Sequence, residues 1–391
     1  MIPSRTIPAL LLAALVTAQI TACAGAPQRA AEPAPAARSQ SLYWAGADLS
    51  WVNELEDCGA VFRVNGEPRD PYELFAEAGM DTVRLRLWND PEWTDYSTLH
   101  DVARSIRRAR ALGLRVLLDF HYSDTWADPG KQTIPAAWAG DIDNVEALSR
   151  RLYDYTTEVL THLGELGWMP DMVQVGNEIN TEILRPANTE GFPIDWPRQA
   201  ALINAGLRAV RDTAGRYDRS PTVMLQVAQP ENVEPWFVSA RQHGVTDYDY
   251  IGVSYYPFWS EQSLEELGAT IRRVRQEFGA EVILVETGYV WSLGKTNPEA
   301  DGEARQMLEP GYPASVDGQH RFLVDLAKAV MAAGGVGVFY WEPAAVVTRC
   351  SSEWGKQDLR WDNSLFDYSR GNELLPGAEY LRVVRDWPSE G

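Results

Sequence analysis

Two glutamates stand where carboxylates could do chemistry. Glu178 lies in "QVGNEIN" (174–180), directly after an apolar run, and Glu286 lies in "EVILVETG" (281–288). A carboxylate at the end of a buried strand costs solvation unless a partner or a substrate satisfies it. Two such groups flanking one glycosidic bond can hydrolyse it. One carboxylic acid protonates the leaving oxygen, and the other carboxylate attacks the anomeric carbon or activates water. A separation of about 5–5.5 Å between the carboxyl groups gives retention, and about 6.5–9.5 Å gives inversion. Neither "NE" nor "ET" carries meaning alone, because both recur in helix caps and surface ion pairs. The elements that hold the pair decide its value.

Eight short β-rich runs recur along the chain: "YWAGADLS" (43–50), "DTVRLRLW" (81–88), "LRVLLDFH" (114–121), "DMVQVGNE" (171–178), "PTVMLQVA" (221–228), "YDYIGVSYY" (248–256), "EVILVETG" (281–288) and "GVGVFYWE" (335–342). Between them lie stretches such as "TLHDVARSIRRARALG" and "SLEELGATIRRVRQEFG", apolar every three or four residues and closed by Gly, as helices are. "PENVEPWFVSARQHG" is a weaker helix candidate. Strand and helix alternating eight times predict an α/β fold, a single (β/α)8 TIM barrel with long βα loops over residues 41–391. A doubly wound open sheet is the alternative, but no GxGxxG follows the first strand.

Barrel active sites lie at the C-terminal ends of the strands. Those ends carry Asp48, Arg84 with Arg86 and Trp88, Asp119 and His121, Asn177 and Glu178, Tyr255 or Tyr256, Glu286, and Trp341 with Glu342, while the strands otherwise read as apolar. The 108 residues between Glu178 and Glu286, taken as three strand–helix units, make 36 per unit. Strands four and seven face each other across an eight-stranded barrel, so the two carboxylates could flank one substrate.

Composition narrows the partners. With 35 basic and 55 acidic residues and a formal charge of −20, nucleic acid would be repelled, and no basic stripe offsets that. Fifteen Trp and sixteen Tyr suit a groove for sugar rings, although a good share must be core. With five histidines and no Cys/His cluster, the chain needs no metal-centred cofactor. Residues 1–23 read as a signal peptide: Arg5 precedes an apolar stretch, and "ITAC" resembles a lipobox that would make Cys23 the lipidated first residue of the mature chain. The other outcome is a soluble secreted protein. Residues 24–40, rich in Ala and Pro, read as a flexible tether. The expected product is an exported monomer, held at a membrane only by its N-terminal lipid. Export favours pairing of Cys58 with Cys350, since closing a barrel brings the loops after strands one and eight to one edge.

The motifs "GADLSWV", "VRLRLWNDP", "LLDFHYSDTWADPGKQ", "QVGNEIN", "YDYIGVSYYPFW", "ILVETGY", "FYWEPA" and "WDNSLFDY", in order from about residue 44 to 380, resemble those of the arabinogalactan endo-β-1,4-galactanases, glycoside hydrolase family 53. The resemblance implies a (β/α)8 member of the large retaining clan, acting on the galactan side chains of pectin through a double displacement. Glu178 would be the acid/base and Glu286 the nucleophile. Arg84 would hold the nucleophile ionised, and Asn177 would bind the sugar 2-hydroxyl. Tyr256 would donate to the nucleophile, Trp341 would form a platform under the sugar, and Asp48, Asp119, His121 and Trp88 would complete the substrate site. Two other readings stand beside it: a clan relative redirected to another β-glycan, or a sugar-binding surface lipoprotein without activity.

The chain departs from the family in the loops. "NTEILRP" follows strand four, "LQVAQPENVEPWF" stands where a His-containing run is expected after strand five, and "GYVWSLGKT" follows strand seven. These loops bear on the galactan preference. The resemblance also allows a structural calcium between the loops after strands seven and eight, where Glu299, Asp301 and Glu303 occur without a recognisable ligand pattern.

Overall fold

The computed structural model describes residues 43–186, 193–217, 219–293, 301–306, 308–350 and 362–388. The eight apolar runs are eight strands: β1 Trp44–Asp48, β2 Thr82–Leu87, β3 Arg115–Phe120, β4 Met172–Val175, β5 Thr222–Ala228, β6 Tyr250–Ser254, β7 Glu281–Glu286 and β8 Gly337–Tyr340. Each pairs in parallel with the next, and β8 pairs with β1, so the sheet is the closed barrel that the alternation predicts. The leader and tether of residues 1–40, with Cys23, lie outside the described residues. No helix among the described residues is long and apolar enough to cross a membrane.

The helices form where the periodicity places them, and their first turns are capped. Thr98, Asn144, Asp195 and Ser263 each accept a backbone N–H that would otherwise lack a partner. Ser263 and Glu266 do so reciprocally, as a capping box. Leu148, Leu152, Val159, Leu160 and Leu163 bury one stripe of Val145–Glu165. The weak candidate is a full helix, Pro230–Gln242: Pro230 occupies a first-turn position that needs no N–H, and Val233, Trp236, Phe237 and Ala240 are buried.

Inside the barrel, side chains alternate in layers. Trp44, Leu117, Met172, Met224, Ile283 and Phe339 make an apolar plug at the bottom. Gly46 leaves room for it, since a Cβ there would lie 2.1 Å from the Phe339 ring. Above the plug lie Arg84, Asp119, Gln174 and Gln226, none more than 1% exposed. The strands are therefore not apolar below the rim, contrary to the sequence expectation. The amides are tolerated because they are paired: Gln174 Nε2 donates to Gln226 Oε1 at 2.6 Å, and Arg84 Nε donates to Gln174 Oε1 at 3.2 Å.

One irregularity positions the site. Val253 pairs with Leu284, but Ser254 pairs with Glu286, so β7 carries one extra residue against β6. Ile283 and Val285 both pack into the interior, and continued alternation would point Glu286 outward. The bulge re-aims it into the barrel mouth.

Cys58 and Cys350 form a disulfide with their Cα atoms 5.4 Å apart, joining the segments after β1 and β8 at the seam. Short strands Phe62–Val64, Glu67–Arg69, Phe366–Asp367 and Glu373–Leu374 form a small second sheet, which ties the loop after β1 to the C-terminal segment.

Candidate active site

Arg84, fully buried on β2, is the centre of the site. Its Nη1 lies 3.1 Å from Asp48 Oδ2, and its Nη2 lies 2.8 Å from both Asp119 Oδ2 and Glu286 Oε1. The same Nη2 donates to Asn177 Oδ1 at 2.8 Å. Burial works against the guanidinium charge, but Asp119, Glu286 and Asp48 outweigh it and raise its pKa above the ordinary arginine value. Burial would likewise raise Asp119, yet Arg84 and His121 hold it below the usual carboxylate range.

Glu178 follows β4 on a turn that β4 could not continue: Gly176 has φ +85° and Glu178 itself φ +45°. A non-glycine residue in that region is strained and is held by its surroundings. Here Glu178 N donates to Gln226 Oε1 at 3.0 Å, and Gln132 Nε2 donates to the Asn177 and Glu178 carbonyls at 2.8 and 3.2 Å. Burial first, and then the charge of Glu286, push the Glu178 carboxyl well above the usual carboxylate range. One carboxyl is thus ion-paired to an arginine and the other is driven toward its protonated form, the division of labour that an acid and a nucleophile need. Burial first, and then the charge of Glu286, keep the Tyr256 hydroxyl protonated, and it donates to Glu286 Oε2 at 3.3 Å.

The two groups open into a cavity of about 220 Å³. Of the residues expected from sequence, Asp48, Arg84, His121, Asn177, Glu178, Tyr256, Glu286 and Trp341 line it. Asp119 reaches it only through Arg84 and His121. Trp88 stands behind the wall: it is 1% exposed and does not line the cavity, which corrects its assignment to substrate contact. Its ring and that of Trp126 clamp the Arg86 guanidinium at 4.7 and 3.9 Å. Tyr255 faces away, its hydroxyl donating to Gln262 O at 2.8 Å. His121 Nδ1 accepts from Ala127 N at 3.0 Å, so its proton sits on Nε2 and is donated to Asp119 at 3.1 Å.

Several residues escaped the sequence reading. Trp126, Asp128, Trp259 and Asn363 also line the cavity, and the first two sit in the quoted "SDTWADPG" loop without a role assigned to them. Glu342 was placed at the rim without a partner; it pairs with Arg86 at 3.1 Å and accepts Trp51 N at 3.2 Å. Gln226 shares a strand face with Met224, and that parity was the available signal. Glu299 lies outside the described residues, as do the side chains of Asp301 and Glu303.

A closed (β/α)8 barrel that presents two such carboxylates from β4 and β7 at the C-terminal mouth, among tryptophans, defines a glycoside hydrolase. The chain belongs to glycosyl hydrolase family 53, whose model matches residues 44–380. It is 48% identical over 344 residues to the arabinogalactan endo-beta-1,4-galactanase of Cellvibrio japonicus, covering 87% of this chain and 91% of that protein. It is 35% identical to the endo-beta-1,4-galactanase of Bacillus subtilis, over 86% of this chain and 77% of that one. Among solved structures, the Ignisphaera aggregans GH53 catalytic domain superposes with a TM-score of 0.75 at 28% identity, covering 90% of this chain and 98% of that one. One of two fungal beta-1,4-galactanases superposes with a TM-score of 0.73 at 31% identity, covering 88% and 99%.

Proposed function

We propose that the protein is an endo-acting hydrolase of β-1,4-galactosidic linkages in galactan and type I arabinogalactan, working with retention through a glycosyl-enzyme intermediate. The observation that carries this reading is the opposite treatment of the two carboxyls: Glu286 is ion-paired to Arg84 at 2.8 Å, while Glu178 is driven toward its acid form. The substrate class comes from the relatives named arabinogalactan endo-beta-1,4-galactanase.

In the first half-reaction the Glu178 acid gives its proton to the glycosidic oxygen as that oxygen leaves the anomeric carbon. Glu286 Oε1 is occupied by Arg84 and by Gln226 Nε2 at 2.9 Å, which leaves Oε2 to form the new bond to carbon. The Tyr256 hydroxyl, 3.3 Å from that oxygen, loosens its hydrogen bond as the charge leaves it and regains the bond when the carboxylate is released. In the second half-reaction the Glu178 carboxylate takes a proton from water. The water oxygen attacks the anomeric carbon, and Glu286 departs as the carboxylate. Asn177, held by Arg84 and by Ala127 O at 2.7 Å, presents its amide to the 2-hydroxyl of the reacting sugar. Trp341 lies beneath that ring, 5.3 Å from Trp51 and 6.1 Å from Trp126. The side chains supply acid, base and nucleophile, so the mechanism uses no cofactor.

The purified protein should release oligosaccharides from galactan in preference to mannan, glucan and xylan. Glu286→Ala should remove most turnover while leaving galactan binding largely intact. Activity spread evenly over the panel would assign the protein to a broader β-glycanase, and full activity of Glu286→Ala would remove the mechanism. The disulfide, a bond favoured outside the cytoplasm, supports export, and the lipobox-like "ITAC" that ends the leader supports lipidation at Cys23. In that case Cys23→Ser should move the activity from the membrane fraction to the soluble one.

A further inference from the structure

We infer that Gln226 is a positioning residue for this reaction: one buried amide on β5 fixes the Glu286 side chain and the Glu178 turn against each other. The inference rests on the reading of Glu286 as nucleophile and Glu178 as acid/base.

Gln226 is fully buried and does not line the cavity, so it acts through other residues. The orientation of its amide follows from its neighbours. One end meets Gln174 Nε2 at 2.6 Å, Glu178 N at 3.0 Å and Arg84 Nη2 at 3.5 Å, all of which are donors. That end must be the carbonyl oxygen. Gln174 is oriented in turn by Arg84 Nε, which can only donate to its oxygen. The Nε2 of Gln226 then faces Glu286 Oε1 and Ser254 Oγ, both at 2.9 Å, and spends one hydrogen on each. Because Ser254 Oγ accepts from Gln226, its own hydrogen is free to turn to the Glu178 carboxyl, with which it is hydrogen-bonded.

All the hydrogen-bonding capacity of this amide is therefore committed to the two glutamates and the groups that set their charge. It holds Glu286 Oε1 away from the reacting carbon, and it holds the backbone of Glu178 at its positive φ. A displacement of either carboxyl by about 1 Å would misalign attack or proton transfer. Arg84 supplies charge to Glu286 from one side, and Gln226 supplies direction from another.

The test compares Gln226→Met, similar in volume but without donor or acceptor, and Gln226→Asn, which keeps the amide one methylene short. Each is assayed on galactan and on a β-1,4-galactobioside with a 2,4-dinitrophenyl leaving group, which departs without help from an acid. For Gln226→Met we expect kcat to fall ~10- to 100-fold with KM changed by less than about 3-fold. The loss should persist on the activated substrate, because the nucleophile is what has been misplaced. Gln226→Asn should be impaired in the same sense. A wild-type kcat for either variant, a change confined to KM, or a loss seen only on galactan overturns the inference. So does failure of both variants to fold, which would make Gln226 a purely structural residue. Glu286→Ala is measured alongside: if it turns over, the reading of the site fails; if it is inactive while the Gln226 variants are not, only the role of Gln226 fails.

Discussion

The Glu286 carboxylate lies 2.8 Å from a guanidinium nitrogen of Arg84 that is also 2.8 Å from Asp119, while the other terminal nitrogen of Arg84 holds Asp48 at 3.1 Å. Three buried anions thus share one cation. Removing that cation leaves the buried carboxylates uncompensated, a situation that costs about 3–5 kcal/mol. Arg84→Met should therefore lower the melting temperature at neutral pH and abolish turnover. The stability loss should shrink as the pH falls and the stranded carboxylates take up protons. Calorimetry at pH 7 and pH 4 checks this, and an unchanged melting temperature at pH 7 would show that the cluster is not an electrostatic unit.

Arg86 does a different job one turn of the alternation higher. It pairs with Glu342 and stacks between Trp88 and Trp126, and of these two rings only Trp126 lines the cavity. Arg86→Lys keeps the charge but loses the flat face that stacks on indole. The expected outcome is weaker substrate binding with little change in chemistry: KM for galactan rising about 5- to 30-fold, from a loss of about 1–2 kcal/mol, and kcat within about 3-fold. A fall in kcat with constant KM would place Arg86 with the reacting groups instead.

The barrel was legible because each of its strands is a short apolar run, and each run is followed by a helix with its own period and cap. The two glutamates were legible because a charge at the end of such a run is costly. What could not be read was hidden by burial on the same strands. Gln174 and Gln226 look like interruptions of an apolar pattern, and only the closed barrel brings them onto Arg84. The bulge that turns Glu286 inward leaves no mark in "EVILVETG", because the extra residue is defined by pairing with β6. Trp88 was misplaced for the opposite reason: it sits at the end of β2 as a site residue would, but Trp93, 4.9 Å away, and Trp126, 5.3 Å away, cover it.

The disulfide joins positions separated by 292 residues, so the open chain it constrains is long. Loop-closure entropy for such a length corresponds to about 6 kcal/mol of stabilisation, an upper figure if the reduced chain keeps structure. Paired Cys58→Ser and Cys350→Ser replacements should lower the melting temperature clearly and leave kcat at moderate temperature nearly unchanged, since neither residue lines the cavity. A variant as stable as the parent would mean that the seam between β1 and β8 is held by its strand pairing and the small outer sheet alone.

The raised pKa of Glu178 favours activity and costs stability above the ordinary glutamate value. As the proposed acid its carboxyl must be protonated to assist the departing oxygen, and burial and Glu286 raise its pKa. Activity on galactan should therefore persist well above the ordinary glutamate value of about 4.3 and decline only as the pH passes the raised value. The same shift destabilises the fold. Below the ordinary value Glu178 is protonated whether the chain is folded or not, and it contributes nothing. Above that value the unfolded chain ionises while the folded site resists, so stability is lost progressively until the raised folded value is reached. Glu178→Gln removes the titration and keeps the shape. It should melt at nearly the parent's temperature near pH 4 and above it at pH 7, while galactan turnover falls by about 10²- to 10⁴-fold. Melting curves at the two pH values decide the matter: a parent that outlasts Glu178→Gln at pH 7 would mean that the folded site favours the carboxylate, and Glu178 could not then be the acid.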